Sequence, residues 1–227
     1  MTPLQAREGY RLWAPTYEEE TAVSFLENDV VGNLRVPAEG VLLDAGCGTA
    51  RRLREAKHAQ VAVGADASMA MLGRAAREQV MRAPLLAAAD LRALPFAAAS
   101  FDVVWCRLAI GHVRELDRVY SELSRVCRTG GWLVVTDFHP DAVAAGHQRT
   151  FRDANGVVHE IEHHAHPVEH HLECAIAHRL RLRAHRDGAV GPRVRGFYKA
   201  ARRLDAYDRQ RGLRLVLAFA FQRDAGA

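Results

Sequence analysis

The stretch VLLDAGCGTA, residues 41–50, decides the fold of this chain of 227 residues. An apolar run ends at Asp44, and two glycines, Gly46 and Gly48, follow directly after it. Such an apolar run is typical of a strand buried in a parallel sheet. Glycine has no side chain to keep a ligand away from the backbone. The stretch therefore predicts a strand, a loop that a ligand can approach closely, and then a helix.

Two kinds of phosphate-binding loop also place glycines after a strand, and the sequence disfavours both. A dinucleotide-binding loop has the pattern G-x-G-x-x-G, in which the third glycine lets the helix pack on the strand. Arg51 occupies that third position. A P-loop would require a Gly-Lys pair followed by Ser or Thr, and none follows Gly48. An acid at a strand end before G-x-G suits a cofactor that carries an ammonium group instead.

The sequence D-A-G-C-G-T, residues 44–49, resembles motif I of the class I S-adenosylmethionine-dependent methyltransferases, in particular the branch that acts on small molecules. The resemblance implies S-adenosylmethionine as the cofactor and methyl transfer as the reaction. It implies that Asp44 interacts with the cofactor's ammonium group, partly through water, while the glycine backbone lies against the methionine moiety. The cofactor site implied in this way consists of Tyr17, Asp44, Gly46, Cys47, Gly48, Asp66, Ala67, Met71, Asp90, Leu91 and Arg107.

Two further acids follow predicted strands. Asp66 ends a strand expected at residues 60–65 and lies 22 residues beyond the acid of the first motif. This is close to the interval of ~20 residues at which a nucleotide-binding sheet places an acid beside the ribose hydroxyls. A carboxylate suits this role because its two oxygens can accept from two hydroxyls. Asp90 ends a strand expected at residues 85–89, and the resemblance implies that it accepts from the adenine amine, with Leu91 against the ring.

Two more positions have both a functional and a structural interpretation. Arg107 follows the fourth predicted strand and could meet the cofactor carboxylate or an anionic substrate, because a guanidinium fork matches a pair of oxygens. An ordinary surface arginine explains it equally well. The pattern Y-x-x-W-A-x-x-Y, residues 10–17, resembles the family segment that folds over the cofactor pocket. We expect that role for Tyr17 before Tyr10 or Trp13, since core packing also explains these rings.

The periodicity of apolar residues along the rest of the chain predicts an α/β fold. We predict one domain, residues 1–227, with a doubly wound, Rossmann-like sheet of seven strands whose last strand is antiparallel. An N-terminal helical lid, residues 1–36, and a substrate-cap insertion after the fifth strand, residues 138–166, complete it. Further elements are expected as helices at residues 51–57, 114–126, 167–177 and 197–207, strands at 100–106, 132–137, 180–185 and 213–221, and turns at 128–131 and 155–156.

Histidines crowd the last third of the chain, where eight of the twelve fall between residues 159 and 185. Imidazoles bind transition metals, but the sequence lacks H-E-x-x-H, and the adjacent pair His163 and His164 would point to opposite faces of a strand. We therefore predict no metal site, while a metal-assisted methyltransferase stays as an alternative. A histidine can also be a general base, since its unperturbed pKa is ~6.5. The candidates are His139, His163, His164 and His166, because the resemblance places the substrate cap here.

Composition limits the remaining classes of function. The net charge is +4, but the arginines are scattered without a long basic block, which disfavours nucleic acid as a partner. The four cysteines form no C-x-x-C pair, so neither a zinc ribbon nor a disulfide framework is indicated, and a reducing cytoplasm is expected. The first residues lack a signal-peptide core, and no run approaches the ~18 apolar residues of a membrane span.

The expected function is methyl transfer from S-adenosylmethionine to a small organic acceptor. Oxygen is the first expectation for the acceptor atom, then nitrogen or carbon, since no Asn-Pro-Pro-Tyr sequence follows the fourth strand; residues 106–109 read C-R-L-A instead. A non-catalytic protein that binds S-adenosylmethionine for regulation is an alternative. A nucleotide-linked oxidoreductase is disfavoured by Arg51. The acceptor's identity and the oligomeric state do not follow from the sequence.

Overall fold

A computed structural model describes residues 2–17, 20–77 and 83–225. Nine strands form a seven-stranded sheet and a separate hairpin. In chain order, the strands are β1 (Gly40–Ala45), β2 (Ala59–Asp66), β3 (Leu85–Ala88), β4 (Phe101–Arg107), β5 (Cys127–Phe138), β6 (Thr150–Arg152), β7 (Val158–Glu160), β8 (Leu180–Ala189) and β9 (Arg214–Arg223). The α-helices are α1 (Ala6–Trp13), α2 (Ala22–Gly32), α3 (Arg51–Glu55), α4 (Met69–Arg77), α5 (Leu116–Val126), α6 (Pro140–Ala144), α7 (Val168–Ala177), α8 (Arg195–Ala200) and α9 (Leu204–Gln210).

The large sheet has the order β3-β2-β1-β4-β5-β9-β8. Strands β1 to β5 pair in parallel, whereas β9 runs antiparallel to both of its neighbours. The predicted seven-stranded sheet with an antiparallel last strand is therefore confirmed. In such a sheet, ligands bind at the carboxyl ends of the parallel strands, where the order reverses between β1 and β4.

The centre of the sheet is buried on both faces, which explains its unbroken apolar strands. In β5, Leu133, Val134 and Val135 are fully buried, although their side chains alternate between the two faces. One face packs on α5 and α7, and the other packs on α2, α3 and α4. Burial of apolar surface at roughly 25 cal/mol per Å² makes these two cores the main stabilising contribution.

Two predicted boundaries are wrong. Residues 197–207 form two short helices, because Arg202 between them adopts a left-handed conformation with φ of 56° that ends the first one. Strand β5 begins at Cys127 and includes the stretch expected to be a turn. Its ladder to β4 passes from Phe101↔Cys127 to Val103↔Trp132, so the residues in between bulge out of the pairing.

The N-terminal segment and the insertion after β5 pack on each other. Backbone hydrogen bonds join Leu4 N–H to the Glu160 oxygen and Glu162 N–H to the Leu4 oxygen, each at 2.8 Å. The Trp13 ring stacks on Phe151 of β6, with 5.0 Å between centroids. Strands β6 and β7 form the expected hairpin around residues 155–156. The two segments therefore form one cover. No helix in the described ranges is long and apolar enough to cross a membrane.

Candidate active site

The loop after β1 depends on glycine at its first turn. Gly46 has φ of +85°, and a Cβ there would collide with the side chain of Ala109, which follows β4. The amide N–H groups of Gly46 and Cys47 both donate to the Ala65 carbonyl of β2, at 2.7 and 3.0 Å. The thiol of Cys47 is buried in the core. Only the backbone of Cys47 is thus left to face a ligand.

Asp44, the second-last residue of β1, has a buried carboxylate without a hydrogen-bond partner. Its side chain has no exposed surface, and neither oxygen accepts a hydrogen bond in the described structure. Burial raises the pKa of Asp44 to about 6, and the nearby charges of Arg52 and Arg107 oppose this rise. A buried polar group without a hydrogen bond is costly. The vacant oxygens therefore fit a cationic ligand group beside the glycine loop, such as the ammonium of S-adenosylmethionine.

Asp66 fastens the loop from the neighbouring strand end. Its Oδ2 accepts from the N–H of Gly48 at 2.8 Å, and its Oδ1 accepts from the N–H of Ser68 at 2.7 Å. Each oxygen keeps a further lone pair, so the carboxylate can still accept from hydroxyls. Nearby, Ala67 is exposed, whereas the side chain of Met71 is fully buried. The ribose role of Asp66 thus stays a prediction that the geometry permits.

Asp90 and Arg107 are both occupied by partners within the chain. Asp90 accepts from the guanidinium of Arg92 through both oxygens, at 3.0 and 2.7 Å, and its neighbour Leu91 packs against the core. The guanidinium of Arg107 donates to both oxygens of the buried Glu27, at 2.7 and 2.9 Å. Asp90 could accept from adenine only while it also holds Arg92. Arg107 could likewise bind a ligand carboxylate only while it also holds Glu27.

Three aromatic rings of the cover lie beside the glycine loop. Tyr17 is the nearest, since a Cβ on Gly48 would lie 3.7 Å from its ring. Tyr10 stacks on Trp13 at 5.7 Å and meets Tyr17 edge-on at 6.0 Å. The hydroxyl of Tyr10 is 3.0 Å from Nε2 of His112, in the loop after β4. These contacts connect the cover to the carboxyl ends of the strands.

The four candidate bases do not come together. His163 Nε2 lies 3.1 Å from Oδ1 of the buried Asp137, near the end of β5, and its side chain is 9% exposed. His164 faces the exposed Glu162, and His166 donates from Nε2 to the Val113 carbonyl at 2.9 Å. His139 lies elsewhere, accepting on Nδ1 from the N–H of Asp141. Only His163 is thus paired with a carboxylate that can orient it at the strand ends.

The pair of His163 and Asp137 requires a glycine in the loop after β4. A Cβ on Gly111 would collide with both side chains. Burial raises the pKa of Asp137, but the hydrogen bond and charge of His163 outweigh it, so the pKa is lowered overall. The ionised carboxylate can only accept, so Nε2 of His163 carries the proton of this hydrogen bond. In the neutral imidazole, Nδ1 would be the nitrogen that can take a proton.

The comparisons with known proteins agree with this geometry. Residues 43–135 match the family described as a methyltransferase domain. A malonyl-[acyl-carrier protein] O-methyltransferase of Methylovorus sp. is 37% identical over 116 residues, which cover 47% of this chain and 39% of the relative. A phosphatidylethanolamine N-methyltransferase of Cereibacter sphaeroides is 38% identical over 103 residues, which cover 43% of this chain and 50% of the relative. In sequence, residues 43–135 are thus similar to methyltransferases.

A solved structure shows the same fold. The S-adenosylmethionine-dependent methyltransferase from Mesorhizobium loti superposes with a TM-score of 0.69 and 21% identity, covering 87% of this chain and 98% of that chain. The name of that neighbour gives S-adenosylmethionine as its cofactor. The chain spans half or less of the length of the two curated relatives, and the family match ends within β5. The histidine-rich cap lies beyond that match.

A buried ion network joins the methyltransferase domain to its N-terminal segment, and the sequence analysis missed it. Glu27 of α2 is fully buried and accepts from Arg107, from Arg52 at 3.0 Å and from the Thr136 hydroxyl at 2.9 Å. The two arginines lower the pKa of Glu27 to about 2, against the effect of burial. Glu27 has helical spacing with the apolar Val23 and Val30. An acid on the apolar face of a predicted helix indicates a buried carboxylate that needs a cationic partner.

Replacing Glu27 by glutamine is expected to lower the free energy of unfolding by about 3 kcal/mol. The substitution leaves the buried guanidinium of Arg107 without its counter-charge. Denaturant titration of the variant and the parent measures this loss. The control is D205N, which breaks the exposed pair of Asp205 and Arg209 and should cause no measurable change. A parent-like midpoint for E27Q would contradict the network's role in stability.

The contact of Tyr10 with His112 gives a second stability prediction. His112 Nδ1 donates to the Glu162 carbonyl at 3.0 Å, so Nε2 must accept from the Tyr10 hydroxyl. Y10F removes the donor from a buried acceptor and should destabilise the protein by about 1–2 kcal/mol. Y198F is the matched control, because the Tyr198 hydroxyl bonds Gln210 in a more open position. Equal losses in the two variants, measured by thermal unfolding, would contradict the assignment.

No group of three or more potential ligands among the described residues could hold a metal ion. His166 is surrounded by other imidazoles, with ring centroids of His164, His170 and His171 at 6.3, 6.1 and 5.8 Å. His171 is buried, and its Nδ1 lies 3.1 Å from the Tyr120 hydroxyl. Burial lowers its pKa to about 4, so it is neutral at physiological pH. These histidines pack the cap against α5 and β5.

Proposed function

We propose that this protein transfers a methyl group from S-adenosylmethionine to a small organic acceptor, with oxygen as the first choice of acceptor atom. The observation that carries the proposal is Asp44, a fully buried carboxylate whose two oxygens lack partners, beside a loop that needs glycine at Gly46. A fold that kept such a charge for structure alone would pair it. A cationic ligand group would supply the missing partner.

The cofactor would be held by the ends of β1, β2 and β3. Asp44 would bind the ammonium group, and the loop backbone would lie against the methionine chain. Asp66 would accept from the ribose hydroxyls, next to Ala67, while Asp90 and Leu91 would meet the adenine. Tyr17 would close over the loop. Bound S-adenosylmethionine supplies an electrophilic methyl group on a sulfonium.

The acceptor would lie at the ends of β4 and β5, beneath the cover. There, a neutral His163 would take a proton on Nδ1, while Asp137 holds Nε2 and would stabilise the cation that forms. Removing the proton from a hydroxyl turns it into an oxyanion, which is a much stronger nucleophile. The aromatic cover would exclude water and hold the acceptor in place, and positioning is the larger part of the expected acceleration.

Oxygen as the acceptor atom is supported by the histidine and by the relatives. Seven of the similar proteins are malonyl-[acyl-carrier protein] O-methyltransferases, and one is an N-methyltransferase. A hydroxyl gains more from a base than a neutral amine, because the amine is already a good nucleophile whereas the hydroxyl becomes one only as its proton is removed. Transfer to nitrogen stays the second candidate because of the phosphatidylethanolamine N-methyltransferase relative.

The proposal is tested by incubating the purified chain with labelled S-adenosylmethionine, EDTA and matched sets of small hydroxyl, amine and carboxylate acceptors. Formation of S-adenosylhomocysteine with hydroxyl acceptors is the expected result. Turnover only with amines would move the reaction to nitrogen. Cofactor binding without turnover would favour the non-catalytic alternative, and turnover only after metal is restored would favour the metal-assisted one.

A further inference from the structure

Arg149, between α6 and β6, is a cation with unused hydrogen-bonding capacity inside the cover. Its guanidinium carbon lies 5.3 Å from the centre of the Phe138 ring and 5.9 Å from that of Tyr10. Nη1 is buried and has no hydrogen-bond partner among the described residues. A guanidinium of this kind differs from the paired Arg107 and Arg92, whose forks hold carboxylates of the chain itself. Its unused donor points to a ligand.

Arg149 keeps its positive charge, whereas the neighbouring imidazoles of His112 and His147 are uncharged. Burial lowers the pKa of His112 and of His147, and Arg149 itself adds to both effects. Both imidazoles are therefore neutral at physiological pH. The nearby Asp137 is held by His163 on one oxygen, and His171 lies 3.9 Å from the other. No described carboxylate pairs with Arg149.

Arg149 also lies near the proposed base. The rings of His163 and His147 are 5.0 and 5.3 Å from the Phe138 ring, which Arg149 contacts as well. Tyr10, on the other side of Arg149, meets Tyr17 over the glycine loop. A small molecule bound against Phe138 could thus reach both the guanidinium and the imidazole of His163.

We propose that Arg149 binds an anionic group of the methyl acceptor, so that the acceptor is a small carboxylic acid that carries a separate hydroxyl. The inference rests on the proposed function, because it assigns a specificity-determining contact in that acceptor site. The planar guanidinium fork matches a carboxylate in two parallel hydrogen bonds. The rings of Phe138 and Tyr10 lie near the guanidinium and help to keep water from the buried Nη1. The hydroxyl would then face Nδ1 of His163.

The test is calorimetric titration of the full chain, saturated with S-adenosylhomocysteine, with 4-hydroxybenzoate and with its neutral isostere 4-hydroxybenzamide. The expected result is that the parent binds the carboxylate more tightly than the amide. R149Q should weaken binding of the carboxylate by at least ~10-fold and leave binding of the amide unchanged. R149K, which keeps the charge without the fork, should fall between the two. R152Q is the matched control, since Arg152 is exposed in β6, three residues after Arg149.

Two outcomes would overturn the inference. One is a parent affinity for the carboxylate that is no higher than for the amide, including no binding of either. The other is a carboxylate affinity in R149Q equal to that of the parent. Binding of S-adenosylhomocysteine, measured first in each sample, verifies that the variants are folded. It also separates the two proposals, because its loss in the parent would count against the proposed function, whereas its retention with no carboxylate preference counts only against Arg149.

Discussion

H163Q is expected to lower the turnover number of methyl transfer about 100-fold or more, with the affinity for S-adenosylhomocysteine unchanged. General bases contribute roughly 10²- to 10⁴-fold to rate, and glutamine keeps the size of the side chain without its basicity. The measurement uses the hydroxyl acceptor that the parent turns over fastest, with labelled S-adenosylmethionine. Calorimetry on the same sample shows whether the cofactor site is intact.

Two further variants show whether the loss belongs to the pair of His163 and Asp137. D137N removes the carboxylate that fixes the tautomer, so it should also reduce turnover. H164Q is the control, because His164 is adjacent in sequence but faces the exposed Glu162. If H163Q and H164Q retained the same turnover as the parent, His163 would be a packing residue, and the reaction would depend on positioning alone.

D44N should weaken binding of S-adenosylhomocysteine by about 30- to 5000-fold, since losing one partner of a buried charge pair costs roughly 2–5 kcal/mol. The affinity of the parent should also depend on pH. The pKa of Asp44 in the unliganded protein is about 6, so its carboxylate is protonated progressively as the pH falls below that value. Affinity at pH 5 should be about tenfold lower than at pH 8. In D44N this pH dependence should be absent.

The same substitution should have the opposite effect on stability. The pKa of Asp44 is higher in the folded chain than its ordinary value of 3.8, so the folded state binds more protons than the unfolded state between 3.8 and about 6. Stability without ligand therefore falls as the pH rises through that window, by an amount of the order of 3 kcal/mol. At pH 8, D44N without ligand should be more stable than the parent by about 1–2 kcal/mol.

Asp102 provides the control for D44N. It lies at the amino ends of the parallel strands, away from Asp44. Its carboxylate is already paired, since it accepts from the N–H of Val41 at 2.8 Å and from Arg128 at 2.7 Å. D102N should lose stability and keep its affinity for S-adenosylhomocysteine. If D44N bound the ligand like the parent, or if D102N lost binding to the same extent, the assignment of Asp44 would be wrong.

The sequence was sufficient to predict the sheet because each of its signals is local. An apolar run ending in an acid and a glycine turn at Asp44, and a second acid at Asp66, indicate strand ends on one edge. Asp137 stands at the end of another apolar strand in the same way, so its place at the ligand edge was predictable. Its pairing with His163 was not, because the irregular segment after β7 determines where that imidazole lies.

The contacts that depend on long-range packing could not be predicted. Arg107 was a candidate for a ligand contact or an ordinary surface arginine, but it is buried, and Glu27, eighty positions earlier in the chain, occupies its guanidinium. His139 belongs to the same histidine-rich third as His163, yet the turn into α6 uses its Nδ1 as a helix cap. Nothing in the sequence distinguishes Arg149 from the many other arginines of the chain. Its significance comes only from the rings of Tyr10 and Phe138 that surround it.

The most direct test of the account is calorimetric titration of the full chain with S-adenosylhomocysteine at pH 8 in the presence of EDTA. The cofactor site assigned to Asp44, Gly46 and Asp66 predicts binding at one site per chain without any metal. Absence of binding, or binding that appears only when a metal is restored, would contradict it. In that case the histidine-rich cap, and not the glycine loop after β1, would be the centre of the protein's function.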